Sequence, residues 1–159
     1  MIQVTLITVG NLKEPYLRDA AAEYKKRLSA FCRFEEVQLK EQKLSDDPSE
    51  QEIAASLTAE GKETLSALPS KAYKIALCVE GKQFSSPDFA VRLEEVFART
   101  GEVALVIGSS YGLSEEVKRA CDLRLSVSEM TFPHQLMRVL LLEILYRSFQ
   151  ILHGGKYHK

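Results

Sequence analysis

Short, largely apolar runs alternate with amphipathic segments along this chain of 159 residues, and this alternation limits the folds that it can adopt. The clearest runs are 2–9, 73–79 and 103–107, each soon followed by a glycine. Strands with such continuous apolar character have both faces buried, which is typical of a parallel sheet covered by helices. The sequence therefore predicts the α/β class, with a mostly parallel sheet and helices on both faces.

The intervening segments predict helices and further strands. Apolar residues every three or four positions indicate a helix over 15–31, and a Pro-initiated helix is expected over 48–68. Gly61 is a candidate break in that second helix, because glycine weakens a helix interior. Further helices are expected after Ser85 and after Ser114. The remaining predicted elements are strands at 34–39 and 123–127 and a long helix from Pro133 to about residue 152.

Three turns follow strands in the second half of the chain, at 80–81, 108–112 and 128–132. In open parallel sheets, ligands bind beyond the carboxyl ends of the strands. We therefore expect these three turns to lie side by side and to form one ligand site.

The turn 108–112 has two glycines but neither of the common phosphate-binding patterns. GxGxxG and GxxxxGK[ST] are both absent, which argues against a nicotinamide or nucleoside triphosphate enzyme. A flavodoxin-like or nicotinamide oxidoreductase is accordingly a lesser alternative. The glycines permit close approach of a ligand to the backbone, although an ordinary turn after a strand explains them equally well.

His134 follows Pro133 at the start of the last predicted helix. A histidine at a helix start is often only structural, but this one belongs to the expected ligand edge. Arg138 lies one turn further along and is expected on the same face, where it could hold a phosphate or stabilise a developing anion. We take His134 as a candidate proton acceptor and Arg138 as the candidate catalytic cation.

Charge is distributed unevenly although the net charge is only −1. Acidic residues concentrate between Glu35 and Glu63, whereas the segment from His134 onwards has four basic residues, all three histidines and a single acid, Glu143. Two glycines precede a basic and aromatic tail that is expected to be flexible, to stack on a base and to neutralise phosphate. The candidate RNA-binding residues are Arg147, Lys156, Tyr157 and His158.

The last helix carries apolar residues on nearly every face from Gln135 to Leu152. One sheet contact cannot cover so much apolar surface, so a homodimer through this helix is expected. No apolar run is long enough for a membrane span and no signal peptide is recognisable, which predicts a cytoplasmic protein. Cys32, Cys78 and Cys121 are expected to be reduced packing residues, and no metal-binding spacing is present.

The segment 128–138, SEMTFPHQLMR, together with Glu143, Tyr146-Arg147 and the closing Tyr157-His158-Lys159, resembles the RlmH family of ribosomal RNA methyltransferases, formerly called YbeA-like. The likeness spans essentially the whole chain and implies a single SPOUT methyltransferase domain over 1–159. It further implies a C-terminal deep trefoil knot over about 72–159. The implied reaction is transfer of a methyl group from S-adenosyl-L-methionine to N3 of pseudouridine 1915 in 23S rRNA within the ribosome.

The resemblance also implies which residues bind the cofactor, and they belong to the three turns already identified. Family members commonly have glycine where this chain has Ser109, and often glutamine where it has Ile144. A non-catalytic ribosome-binding pseudoenzyme of the same fold is therefore the alternative. The implied cofactor-binding residues are Leu77, Gly108, Val127, Ser128, Glu129, Met130, Thr131 and Phe132.

Overall fold

The structure, a computed structural model, describes residues 1–158 and contains a five-stranded sheet with strand order β2-β1-β4-β3-β5. All four strand pairings are parallel, as the apolar runs predict. The strands are β1 (Gln3–Val9), β2 (Arg33–Leu39), β3 (Tyr73–Lys82), β4 (Glu102–Val106) and β5 (Leu123–Leu125). The helices are α1 (Pro15–Leu28), α2 (Glu50–Ala67), α3 (Ser86–Thr100), α4 (Glu115–Ala120) and α5 (His134–Leu152).

Helices cover both faces of the sheet, which confirms the predicted α/β class. On one face α5 packs between α1 and α3, and on the other face α2 packs against α4. The Phe149 ring of α5 lies stacked between Phe31 and Phe97, with centroid distances of 5.5 and 5.6 Å. Each sheet face has its own apolar core, so the strands are buried on both sides.

Serine hydroxyls begin three of the helices. The side chains of Ser49, Ser85 and Ser114 accept hydrogen bonds from backbone N–H groups three residues further on, at 3.1 to 3.3 Å. These contacts satisfy N–H groups that have no partner within the helix. The predicted helix starts are therefore close to the observed ones, whereas α1 ends at Leu28, before the expected residue 31.

Gly61 does not interrupt α2, which is continuous from Glu50 to Ala67. A Cβ atom at Gly61 would lie 2.6 Å from the Ser114 hydroxyl oxygen, the group that caps α4. The expected break is therefore wrong: the glycine allows the two helices to approach each other, and this tertiary contact outweighs its poor helix propensity.

Strand β3 is longer and less regular than predicted. Its pairing with β5 reaches Leu77 opposite Leu125 and then shifts, so that Lys82 lies opposite the same leucine. The four residues between them leave the ladder, and the Ser126 N–H donates to the Lys82 carbonyl at 3.0 Å where β3 returns. This excursion, 78–81, forms part of the rim of a cavity.

Two further features concern residues 1–158. None of their helices is both long and apolar enough to cross a membrane, and no group of three His, Cys, Asp or Glu side chains is arranged to hold a metal ion. The single-domain boundaries and the knot over about 72–159 stay predictions.

Replacing Gly61 with alanine is expected to lower the free energy of unfolding by about 1–3 kcal/mol, because overpacking at the α2–α4 contact exceeds the gain in helix propensity. Urea denaturation followed by circular dichroism measures this change. Lys62→Ala, at the neighbouring exposed position, is the control and should change stability by less than about 0.5 kcal/mol. Equal stability of the two variants would contradict the packing role of Gly61.

Candidate functional site

A cavity of about 450 Å³ opens at the carboxyl edge of the sheet, where β3, β4 and β5 end. Segments at all three turns expected from the sequence meet there: 78–80 of β3, which includes only the first residue of the expected turn 80–81, 107–113 after β4, and 127–134 without Glu129 after β5. Its volume lies in the range of small-molecule sites. The geometry thus brings together segments that are far apart along the chain.

Seven of the eight expected cofactor-binding residues line this cavity. Glu129 is the exception: it is exposed and does not contribute to the cavity wall. The loop around it is held locally, because the Met130 N–H donates to the Ser128 hydroxyl at 3.0 Å. The seven lining residues are Leu77, Gly108, Val127, Ser128, Met130, Thr131 and Phe132.

Gly108 lies where the β4 turn folds back on itself. A Cβ atom there would be 2.1 Å from the Gly112 carbonyl oxygen, so no other residue fits without moving backbone. The turn is closed by the Gly112 N–H, which donates to the Ser109 carbonyl at 2.9 Å. Gly108 therefore allows the backbone at Gly112 to approach, where the approach of a ligand was expected from the sequence. This contact shapes the cavity wall.

Lys118 and Met137 also line the cavity but were not anticipated. The Lys118 ammonium group donates to Glu80 Oε1 at 2.5 Å, and this hydrogen bond lowers the pKa of the Glu80 carboxyl. Met137 could have been found from the sequence, because it follows Pro133 by about one helical turn and therefore lies on the same side of α5. No local pattern marks Lys118, because α4 reaches the cavity only through tertiary packing.

His134 is the first residue of α5 and a half-buried part of the cavity wall. Burial lowers its pKa, and the positive charges of Arg138 and Lys13 act in the same direction, against the opposing influence of Glu41. The imidazole is therefore neutral at neutral pH. A neutral ring nitrogen can accept a proton, so the position and charge state are compatible with the expected role.

Arg138 does not lie in the cavity, contrary to expectation. Its side chain is 1% exposed, and Nη2 donates to the Gly10 carbonyl at 3.0 Å. Nη1 lies 3.6 Å from Glu36 Oε1. His134 and Arg138 share a helix face, but the long arginine side chain extends towards the end of β1. Arg138 thus joins α5 to β1 and β2. It does not line the cavity in which contact with the reacting atoms was expected.

The basic tail also differs from its expected flexible state. Tyr157 donates to Glu143 Oε2 at 2.8 Å, and Arg147 Nη2 donates to Glu143 Oε1 at 2.7 Å. Arg147 Nη1 lies 3.1 Å from His158 Nδ1. Lys156 is exposed, and Lys159 lies outside the described residues. Tyr157 and His158 thus lie against Glu143 and Arg147 of α5, and none of the four RNA-binding candidates lines the cavity of the same chain.

Comparison with known families and sequences gives consistent matches over the whole chain. The family model described as "Predicted SPOUT methyltransferase" matches residues 2–158. A protein of Streptococcus thermophilus named "Ribosomal RNA large subunit methyltransferase H" is 46% identical, over 99% of this chain and 100% of the relative. A protein of the same name from Streptococcus pneumoniae is 42% identical over the same shares.

Solved structures with a similar fold are much more distant in sequence. A probable methyltransferase from Bordetella pertussis has a TM-score of 0.57 at 16% identity, over 92% of this chain and 95% of that one. A probable methylase family protein from Haemophilus influenzae has a TM-score of 0.56 at 19% identity, over 99% of this chain and 70% of that one. These two likenesses concern the fold alone.

Replacing Arg138 with methionine is expected to lower the free energy of unfolding by about 3 kcal/mol. The change takes away the buried positive charge that faces Glu36, and it leaves the carbonyl groups at the end of β1 without their hydrogen-bond donor. Urea denaturation checks this value. Arg27→Met is the matched control, since the Arg27 ion pair with Glu23 is exposed and should contribute less than about 1 kcal/mol. Similar losses in both variants would refute the anchoring role of Arg138.

Proposed function

Because the chain belongs to the SPOUT methyltransferase family, and within it to the family of ribosomal RNA large subunit methyltransferase H, we propose that it methylates 23S rRNA with S-adenosyl-L-methionine. The proposed position is N3 of pseudouridine 1915, on RNA within the ribosome. The observation that carries the proposal is the convergence of three strand-end turns on one cavity at the carboxyl edge of the sheet.

The cavity fits the proposed cofactor in size and in chemistry. Apolar side chains such as Leu77, Val127 and Phe132 offer surfaces for an adenine ring, and hydroxyl groups of Ser128 and Thr131 can bind polar groups. Its volume of about 450 Å³ is sufficient for an adenosyl amino acid. When bound, S-adenosyl-L-methionine supplies an activated methyl group on a good leaving group.

The protein's contribution is then mainly geometric: its side chains hold the two reactants in line and exclude water. An imide N3 must also lose its proton, and His134 is the candidate acceptor because it is neutral and lines the cavity. Arg138 acts indirectly, by fixing the first turn of α5 that carries His134. Glu129 can contribute to cofactor binding only through a change in its loop.

RNA binding is assigned to the surface on α5 that carries Arg147, Lys156, Tyr157 and His158. The Arg147 guanidinium lies over the Tyr157 ring at 4.7 Å from the centroid, so charge and an aromatic surface occur together. Such a combination can contact phosphate and stack on unpaired bases. Glu143 holds both Arg147 and Tyr157, so this surface is ordered before RNA binds.

A homodimer through α5 is also part of the proposal. Residues of this helix that face α1 and α3 are buried, but Met137, Leu140, Ile144 and Ile151 form a partly exposed apolar stripe on another side. Their spacing of three, four and seven positions places them on one face. A second copy of α5 would cover this stripe. The protein is further proposed to act in the cytoplasm and to have the knotted topology of its family.

The reaction itself is tested with tritiated S-adenosyl-L-methionine and free RNA, large subunits or whole ribosomes. We expect label on a single pseudouridine of 23S RNA in whole ribosomes. Gly108→Ala should bind the cofactor about 10- to 100-fold more weakly in calorimetry, because the clash with Gly112 is relieved only by moving the backbone of the cavity wall, with an expected loss of about 1–3 kcal/mol of contacts to the cofactor. Ser66→Ala, on the exposed face of α2, is the control.

Three outcomes separate the alternatives. Binding of the cofactor without labelling of any substrate would favour the ribosome-binding pseudoenzyme. Labelling at another atom or nucleotide would keep the methyltransferase and refute the proposed position. Absence of cofactor binding to the unaltered protein would refute the assignment of the cavity.

Dimerisation is tested by Leu140→Glu, which places a charge on the partly exposed stripe. We expect the unaltered protein to have the mass of a dimer in light scattering and this variant to be a monomer, because a buried unpaired carboxylate is strongly unfavourable. Val91→Glu makes the same kind of change at an exposed site on α3 and should remain a dimer. A dimeric Leu140→Glu variant would place the interface elsewhere.

A further inference from the structure

A second cavity of about 500 Å³ lies beside the first at the same edge of the sheet. It is bounded by Lys13 after β1, by residues 41–44 after β2 and by Ser56 and Glu60 of α2. Ser109, Ser110 and Tyr111 line both cavities, so the β4 turn is their common wall. The proposed function uses only the first cavity.

Two buried polar groups without partners line this second cavity. Glu60 is 4% exposed: its Oε2 accepts from the Gln42 N–H at 3.2 Å, whereas Oε1 has no hydrogen-bond partner among residues 1–158. Ser109 is 6% exposed, and its hydroxyl makes no hydrogen bond of good geometry in that part of the chain, although it lies close enough to the Glu60 carboxyl to lower the pKa of that group. A buried polar atom without a partner costs about 1–3 kcal/mol. A polar ligand that gives both side chains well-formed hydrogen bonds would remove this cost.

The charge of Glu60 points to the kind of ligand. Burial raises the pKa of this carboxyl group, and the hydrogen bond from the Gln42 N–H and the nearby Ser109 hydroxyl offset that effect only in part, so its charged form is incompletely stabilised in the free protein. A ligand N–H group donating to Oε1 would stabilise that form. The floor of the cavity is therefore suited to a hydrogen-bond donor.

The rim has a different chemistry, which suits a nucleotide. Lys13 and Lys43 are exposed, and neither ammonium group forms an ion pair within the described chain. The Tyr111 side chain is 45% exposed and offers an aromatic surface for a base. Glu41 also lines the cavity and limits its positive charge. Two cations and one aromatic ring surround a floor that accepts hydrogen bonds.

The position of the second cavity agrees with that of a methyl acceptor. The atom that receives the methyl group must touch the donor, so the acceptor base has to enter next to the cofactor cavity. The Lys13 N–H donates to the Gln135 side chain at 3.0 Å, which fixes one side of the second cavity against the helix that carries His134. His134 itself lines only the first cavity, but Lys13 and Glu41 of the second cavity are near enough for their charges to influence its pKa.

We propose that the second cavity binds the acceptor nucleotide of the RNA, with a ring N–H of the base donating to Glu60 Oε1 and the Ser109 hydroxyl donating to a base carbonyl. Lys13 and Lys43 bind the adjoining phosphates. This inference rests on the proposed function. Pseudouridine has a ring N–H at N1 in addition to the one at N3, whereas uridine has C–H at the matching ring position. Glu60 therefore distinguishes pseudouridine from uridine.

A first experiment tests this assignment without requiring methyl transfer. Pseudouridine 5′-monophosphate is titrated into the full-length protein while backbone amide signals are followed by NMR. We expect shifts at Gln42 and Ser109 to Tyr111 in the unaltered protein and in Glu63→Gln, an exposed control on α2, but much smaller shifts in Glu60→Gln. Equal shifts with uridine 5′-monophosphate or with inorganic phosphate alone would overturn base recognition, and so would no shifts in this segment.

A second experiment compares methylation of ribosomes that carry pseudouridine or uridine at the target position. For Glu60→Gln, kcat/KM on pseudouridine ribosomes should fall about 10-fold, since a hydrogen bond to a charged acceptor exceeds a neutral one by roughly 1.4 kcal/mol. Activity on uridine ribosomes and cofactor affinity should stay within about twofold, which excludes general misfolding. An unchanged preference for pseudouridine would refute the role of Glu60. Failure of the unaltered protein on both ribosomes would instead refute the proposed function.

Discussion

The buried guanidinium of Arg138 determines how the last helix sits on the sheet. It donates to the Gly10 carbonyl at the end of β1 and faces Glu36 of β2, which is itself in contact with Lys25 of α1. A buried charge keeps its position only where its partners are fixed, because an unpaired one is strongly unfavourable. The first turn of α5 is thereby held at the sheet edge. His134 reaches the cofactor cavity as a consequence, and Gln135 reaches Lys13.

Much of the fold could be predicted from local sequence. Apolar runs gave the strands, Pro48 gave the start of α2 to within two residues, and Ser85 and Ser114 gave the starts of α3 and α4. The parallel sheet then placed the three turns at one edge, because parallel strands all end there. Seven cofactor-binding candidates met at the cavity for this reason. These features depend on short stretches of chain and on one general rule of sheet geometry.

What could not be predicted depends on tertiary contacts. Helical spacing put Arg138 beside His134, but only the packed structure determines that its guanidinium turns towards β1. The excursion of β3 over 78–81 results from its shifted pairing with β5, which no local pattern encodes. The second cavity joins Lys13, Glu60 and Ser109 because β1 lies between β2 and β4 in the sheet. The sequence offered one signal for this cavity, namely Glu60, a glutamate on the face of α2 that is buried.

The turn that separates the two cavities has a thermodynamic consequence. The same three residues, Ser109 to Tyr111, line both cavities, and Gly108 beside them packs so closely against Gly112 that a Cβ atom would clash with backbone. Any ordering of this turn by one ligand alters the free energy with which the other binds, and linkage requires the effect to be reciprocal. If the two cavities bind methyl donor and acceptor as proposed, the affinity for either ligand is expected to depend on whether the other is bound.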